Sequence, residues 1–282
     1  MYSSSCKSRF GFTLTEVLVS VAILAVLIGL LLGAIQKVRE SAARISNSNN
    51  LKQITLAAHS FTTAHGDLFP NIENTGPSRG GSVLTALLPY LDVNQAAGAS
   101  SKLFRSPADP TFDSIQIRKI GPCSYGVNPL VFRRNAKMEF SVPDGSSSTF
   151  AVVEHYAYCK KTGFSWSLID SECVDGRTGK RVPCYPTRIH RATFADSNYA
   201  DAIPITTNSP NGPVTVGSLP NATFQVRPQQ NQCDSRLAQT PHSSGMLAAF
   251  VDGSVRTLQA QIAPNVYWAM VTPAGGEVIR DE

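Results

Sequence analysis

From Gly11 to Ile35 the chain reads GFTLTEVLVSVAILAVLIGLLLGAI, an apolar run with one carboxylate, Glu16, near its start. No charge follows from Val17 to Ile35, and Ser20 is the only hydroxyl in that stretch. As a helix this stretch is about 28 Å long, enough to cross a hydrocarbon core with little tilt. A carboxylate beside such a segment is costly to bury unless a cation meets it, which makes Glu16 a functional candidate. The pattern then changes. Val38, Ala42, Ile45, Ile54, Ala58 and Phe61 recur at helical spacing among Lys, Arg, Asn and Gln. This predicts one helix from Phe12 to about Ala64, with a membrane-spanning half (12–36) and an amphipathic half (37–65). His65-Gly66 closes it, glycine being the usual residue past a last turn. Ser46 to Asn50 has poor helix propensity and predicts a bend or interruption.

Beyond Gly66 the periodicity is shorter and patchier. Ser82 to Leu91 predicts a short helix ended by Pro89, and Phe104 to Pro110 a turn-rich segment. Ser124 to Asn128 reads as a strand end or turn, and Ser148 to His155 as a buried strand. Met246 to Val251 and Ser254 to Leu258 form a hairpin around Asp252-Gly253, a strong short-range turn signal. A helix from Pro264 to about Val271 follows, with proline in its first turn. Residues 157–236 are rich in Pro, Asn and Gly and predict long surface loops with no assignable strand. The fold class is α+β: a long N-terminal helix packed on an antiparallel β-sheet head, residues 66–282, with 157–236 as a loop-rich insertion.

Composition narrows the function classes. The chain has 282 residues and a net charge of +5 that is spread out, so no nucleic-acid partner is implied. Charged residues are only 16% of the chain against 20 Gly and 18 Pro, which suits an exported, loop-rich β domain. No P-loop, GxGxxG, HExxH or GxSxG pattern occurs. His155, His190 and His242 share no local motif with the cysteines, so no enzyme, cofactor or metal is expected. Cys6 lies in the basic leader. Cys123, Cys159, Cys173, Cys184 and Cys233 remain, and their pairing is open, with the 159–184 cluster suggesting a local staple. No CxxC pair points to zinc. Asp170, Glu172 and Asp175 lack EF-hand spacing and read as a solvated acidic loop. Tyr156, Tyr158, Phe164, Trp166 and Tyr185 suit either stacking on sugars or core packing.

Two further positions carry chemistry. Asp252-Gly253 suits a turn that needs positive φ, and Arg256 can reach back to Asp252 or Glu277. This group is either a recognition loop or metal site, or a locked β-turn. His242 either lines a site with Asp252 or is a hydrogen-bonded loop histidine.

Gly11-Phe12-Thr13-Leu14-Thr15-Glu16-Val17-Leu18-Val19 resembles the cleavage and methylation motif of type IV prepilins and type II secretion pseudopilins, with Thr15 where that family more often has an apolar residue. The resemblance implies a leader (1–11) removed by a prepilin peptidase between Gly11 and Phe12, and methylation of the new Phe12 amine. It also implies that Glu16 neutralises the Phe12 amine of a neighbouring pilin-like subunit. His242-Ser243-Ser244-Gly245-Met246, Phe250 to Arg256 and Ala274-Gly275-Gly276-Glu277-Val278 resemble the tail of a large branch of prepilin-like proteins described as a domain of unknown function. Asn49 to Gln53 and the Ser106 to Pro110 turn resemble its other landmarks, although that branch usually has Cys at the place of Ser106. The implied fold is pilin-like. The implied location is a single pass of the inner membrane, with the head on the periplasmic or extracellular side; Lys7 and Arg9 before the helix are matched by Lys37, Arg39 and Arg44 after it, so charge alone does not orient it. The expected function is a structural pilin or pseudopilin subunit. The alternative is an anchored exported binding module, for example for polysaccharide, that does not polymerise.

Overall fold

The computed structural model describes residues 13–71, 82–91, 100–113, 121–138, 140–160, 162–165, 172–174, 181–183, 188–191, 193–195, 203–209, 212–218 and 222–275. The chain divides into two compact units, Met1–Ala42 and Ala43–Glu282. In the first, helix α1 (Leu14–Ala64) exposes Leu14, Val17, Leu18, Ile23, Leu27, Leu31 and Ile35, among others. Among the described residues this is the one helix long and apolar enough to cross a membrane.

In the second unit α1 buries Asn47, Leu51, Ile54, Thr55, Ala57, Ala58 and Thr62, a face that repeats every three or four residues. Leu51 and Ile54 are fully buried and each stabilises the fold by about 2 kcal/mol. The predicted stripe is corrected at its start: Val38 and Ile45 are 68% and 64% exposed. The predicted interruption at Ser46–Asn50 is also absent, and the helix runs straight through. Weak propensity is overridden there because Asn47 and Asn50 make hydrogen bonds to the head. The helix ends where expected. The amide of Asp67 reaches back to the Thr62 carbonyl at 2.9 Å, with Gly66 at φ 64°.

The head begins with α2 (Val83–Leu87), capped by the Ser82 hydroxyl, and a 3-10 turn Leu88–Tyr90 that contains Pro89. The expected 82–91 helix is thus present, but its last turn tightens around the proline instead of stopping before it. Helix α3 (Ser100–Leu103) and strands β1 (Tyr125–Val127) and β2 (Phe150–Glu154) follow. Next come β3 (Tyr158–Cys159), β4 (Thr162–Ser165), β5 (Glu172–Val174), β6 (Arg181–Pro183), β7 (Arg188–Arg191), β8 (Ile203–Ser209), β9 (Gly212–Ser218) and β10 (Phe224–Val226). The chain closes with β11 (Ala238–Thr240), β12 (Met246–Phe250), β13 (Val255–Leu258) and α4 (Pro264–Val271).

One four-stranded antiparallel sheet, ordered β1-β2-β12-β13, forms the centre of the head. Strand β12 is apolar on both faces. Leu247, Ala249 and Val251 join the core that includes Leu51, Ile54, Phe104 and Phe132; Met246, Ala248 and Phe250 join a second core with Phe150, Phe194, Phe224 and Tyr267. A strand covered on both sides reads as a continuous apolar run.

The region 157–236 departs from the expectation of loops alone. It holds β3 to β10, most of them two to four residues long, too short for alternation to show. It also returns to the head. Thr193 bridges Val127, Phe194 and Phe224 are buried in the second core, and β10 pairs in parallel with β11. The expected local staple is corrected for Cys159, which is bonded to Cys233, 74 residues away, so that this bridge ties the two ends of the region together. The pairing joins residues remote in sequence, which spacing cannot reveal. Cross-linking so long a loop restricts the unfolded chain, and Cys159→Ser is expected to destabilise the head by about 3 kcal/mol. The midpoint of denaturant unfolding checks this, and a reducing agent should lower it further in the parent chain than in the variant. Cys184 and the Cys173 side chain lie outside the described residues, as do the Asp170 and Asp175 positions and the Glu172 side chain.

Candidate functional site

The first candidate is the start of α1. Gly11 and Phe12 lie outside the described residues. The Thr13 carbonyl accepts the first helical hydrogen bond, from the Val17 amide, which makes Thr13 the N-cap. The Thr13 amide and hydroxyl donate to Glu16 Oε2 at 2.9 and 2.8 Å, while the Glu16 amide donates to the Thr13 hydroxyl at 3.3 Å. This is a reciprocal capping box, and its Thr-x-x-Glu spacing was readable in the sequence. Glu16 therefore has a local task in its own chain: it is held at the first turn, against the positive end of the helix dipole.

The second candidate is a buried polar seam where α1 meets the sheet. Arg44, Asn47 and Asn50 lie on one side of the helix at successive spacings of three. Arg44 donates to the Ser244 hydroxyl and, at 2.7 Å, to the Thr257 hydroxyl. Asn47 Nδ2 donates to Glu154 Oε1, and the Tyr125 hydroxyl donates to Asn47 Oδ1. Asn50 Nδ2 lies 3.0 Å from the Tyr125 hydroxyl and donates at 3.1 Å to the Arg105 carbonyl. Glu154, at the end of β2, sits at the centre. Its Oε2 accepts from the Thr240 hydroxyl at 2.6 Å and the Leu247 amide at 2.9 Å; His242 Nε2 lies 3.4 Å from Oε1. Burial pushes the Glu154 carboxyl up to about 7, against the pull of Thr240, Leu247, Arg44 and Asn47. Burial likewise holds the Tyr125 hydroxyl well above its usual range.

A second carboxylate anchors the adjoining loops. Asp109 accepts from the Ser124 hydroxyl (2.6 Å), the Ala157 amide (2.9 Å), and the Thr111 amide and hydroxyl (2.8 and 2.7 Å). Burial raises its carboxyl, and those four donors pull it back. Ser106, in the same turn, is buried and accepts from the Asp109 amide through its carbonyl. Cys123 is a free, buried thiol that burial keeps protonated, so it is not a reactive cysteine. His155 is buried beside the Tyr156 carbonyl and held down to about 4, hence neutral.

Glu154 and His155 bias stability in opposite directions. The raised Glu154 contributes fully below 4.5 and loses its contribution as pH rises through about 7, and Asp109 acts in the same sense. The lowered His155 contributes fully above 6.5 and loses its contribution as pH falls towards about 4. Each spans roughly 3 kcal/mol, so they offset one another between the two limits. Glu154→Gln should therefore tilt the balance towards His155, so that stability rises more from pH 5 to pH 7 than in the parent chain, and His155→Leu should tilt it the other way, towards Glu154 and Asp109. Thermal midpoints across this range check it. A Glu154→Gln profile parallel to the parent's would refute the assignment.

The hairpin residues form a locked turn. Gly253 has φ 82° and donates to the Phe250 carbonyl at 2.9 Å, and Asp252 Oδ1 accepts from the Ser254 amide at 2.8 Å. Arg256 lies 4.0 Å from the Asp252 carboxylate and 4.5 Å from the Phe250 ring centroid. Glu277 lies outside the described residues. His242 is paired with Glu154, whereas Asp252 serves its own turn. Of the two readings given to the aromatics, Tyr156 and Tyr158 take core packing, being buried; Trp166, Tyr185 and the Phe164 side chain are outside the described residues. Among the described residues no three metal-ligating side chains gather. The residues that spacing did not reveal are Asn47, Tyr125 and Glu154, since each lies on a different element.

Residues 6–32 match the prokaryotic N-terminal methylation motif, and residues 36–110 match a family described as protein of unknown function (DUF1559). No curated protein and no solved structure matches the chain.

Proposed function

Because the chain is a prepilin-like protein of the DUF1559 branch, we propose that it is a structural subunit of a type IV pilus or type II secretion pseudopilus. Met1 to Gly11 is its leader, prepilin peptidase cuts between Gly11 and Phe12, and the Phe12 amine is methylated. Residues 12–36 anchor the protein in the inner membrane by a single pass, residues 37–65 complete the helix, and residues 66–282 form the head on the periplasmic or extracellular side. Glu16 is the assembly contact for the Phe12 amine of a neighbouring subunit. The observation that carries this reading is the methylation motif set directly on an exposed apolar helix with Glu16 fixed in its first turn. A carboxylate fixed in place loses less side-chain entropy when a cation meets it.

Intact mass of the membrane-extracted protein tests the processing. A species starting at methylated Phe12 is expected, and one retaining Met1 to Gly11 overturns the reading. Glu16→Ala tests assembly: processing should continue, while recovery in sheared fibres, or secretion, falls by tenfold or more, on the order of one lost desolvated ion pair. Unchanged recovery would favour a non-polymerising anchored module instead.

A further inference from the structure

We propose that Arg44, Asn47, Glu154 and His242 form a proton-sensitive latch, which holds residues 44–62 of α1 on the head most tightly while the Glu154–His242 pair keeps its proton. The inference is independent of whether the chain polymerises.

The geometry carries it. Glu154 is fully enclosed, and one of its two oxygens is reserved for the helix: Oε1 receives Asn47 Nδ2 from α1 and faces His242 Nε2 at 3.4 Å. Its other oxygen is held inside the head by Thr240 and Leu247. Among the described residues, His242 is the one ion-pair partner within reach of Glu154. Arg44 acts on the carboxylate from a distance while its own guanidinium is committed to the Ser244 and Thr257 hydroxyls. Among the described residues, besides Arg44 on α1 and His242 on the turn after β11, the phenols of Tyr125 on β1 and Tyr156 just past β2 interact with Glu154, and both also interact with the buried Asp109 carboxyl. Burial keeps both phenols neutral through the physiological range. His155, next in the chain, turns to the Tyr156 carbonyl, and Arg256 lies over the Phe250 ring.

A proton is easily placed in this arrangement. Protonated Glu154 can donate from Oε2 to the Thr240 hydroxyl, which in turn reaches the Gly245 carbonyl at 3.4 Å. Oε1 then still accepts from Asn47. Without the proton, a full carboxylate charge is enclosed beside a neutral imidazole, and the cation that acts on it is the more distant Arg44. Lifting α1 off the head takes Asn47 and Arg44 away and admits water, so Glu154 returns to an ordinary acidity and releases its proton. Proton release and undocking are therefore linked: acid conditions favour the docked helix, and mildly alkaline conditions loosen it.

Hydrogen exchange of the full-length protein in detergent micelles tests this between pH 5 and 8, with rates corrected for intrinsic chemistry. Protection of amides 47–62 should fall by about a hundredfold across that range, while amides 246–250 of β12 stay protected. Glu154→Gln should remove the dependence, and Arg44→Gln should move its midpoint to higher pH, since a cation that favours the anion is gone. Constant protection in the parent chain overturns the proposal, as does a parent-like dependence in Glu154→Gln. Should Glu154→Gln fail to fold, an Arg44→Gln midpoint that stays put or moves down overturns it as well.

Discussion

Gly245→Ala is expected to leave almost no folded head. Gly245 has φ 117°, a region that L side chains rarely adopt, and a Cβ built there would stand 2.1 Å from the Leu258 carbonyl oxygen. That oxygen belongs to the backbone of β13, whose register with β12 places Leu258 opposite Met246. A flexible side chain could swing aside; a paired strand cannot. Backbone strain and forced separation of the strands together cost about 4 kcal/mol or more, a large part of the stability of a domain this size. Circular dichroism and denaturant melts of the purified variant check this. A midpoint within experimental error of the parent's would show that the β12–β13 pairing relaxes far more readily than its register implies. Gly253, with only ordinary contacts around its virtual Cβ, should suffer only the milder penalty of its positive φ.

Asn47→Asp should destabilise the head by about 3 kcal/mol at pH 8 and distinctly less at pH 5. The substitution keeps size and shape. Yet it removes the amide that donates to Glu154 Oε1 and places a second carboxyl against it. Tyr125 would still find an acceptor, so the loss is confined to the contact with Glu154. Two carboxyls in one enclosed site share a proton, and acid supplies it. Asn47→Ala should show a weaker difference between the two pH values, because it strands the Tyr125 hydroxyl and leaves a void at both, and removes a donor from Glu154 without adding a second charge. Denaturant unfolding at the two pH values separates these cases, and equal losses for Asn47→Asp at both would refute the charge argument.

What could be read in advance follows from the range of each interaction. The helix end at Gly66, the Asp252-Gly253 turn and the α4 start at Pro264 depend on neighbours a few residues apart, and each is where local chemistry places it. The Asn-rich stretch of α1 departs from expectation for the opposite reason. Asn47 and Asn50 are poor helix formers judged alone, but they are the polar side of a face that docks onto distant strands. Val38 and Ile45 looked like part of that face because apolar spacing does not say where the head begins. Glu154 was hidden at the end of an apolar strand, where a carboxylate ordinarily marks the way out to solvent. His242 is legible as a loop histidine, but its burial beside the Glu154 carboxylate is not, because the two lie far apart in sequence. The Thr13–Glu16 capping box is a local signal, its spacing being short and specific.

The order of the central sheet has a consequence in time. Its middle pair joins β2 to β12, strands that lie on either side of the whole region 157–236. Nothing near β2 in sequence can replace β12, so a growing or translocating chain cannot assemble the sheet until its last third has arrived. Until then Leu51, Ile54 and Ala58 on α1 have no sheet to cover them. High contact order of this kind slows folding and prolongs the exposure of sticky surface. The head should therefore be a late and slow folder, most vulnerable to proteases and to self-association in the interval between helix formation and the arrival of its C-terminal strands.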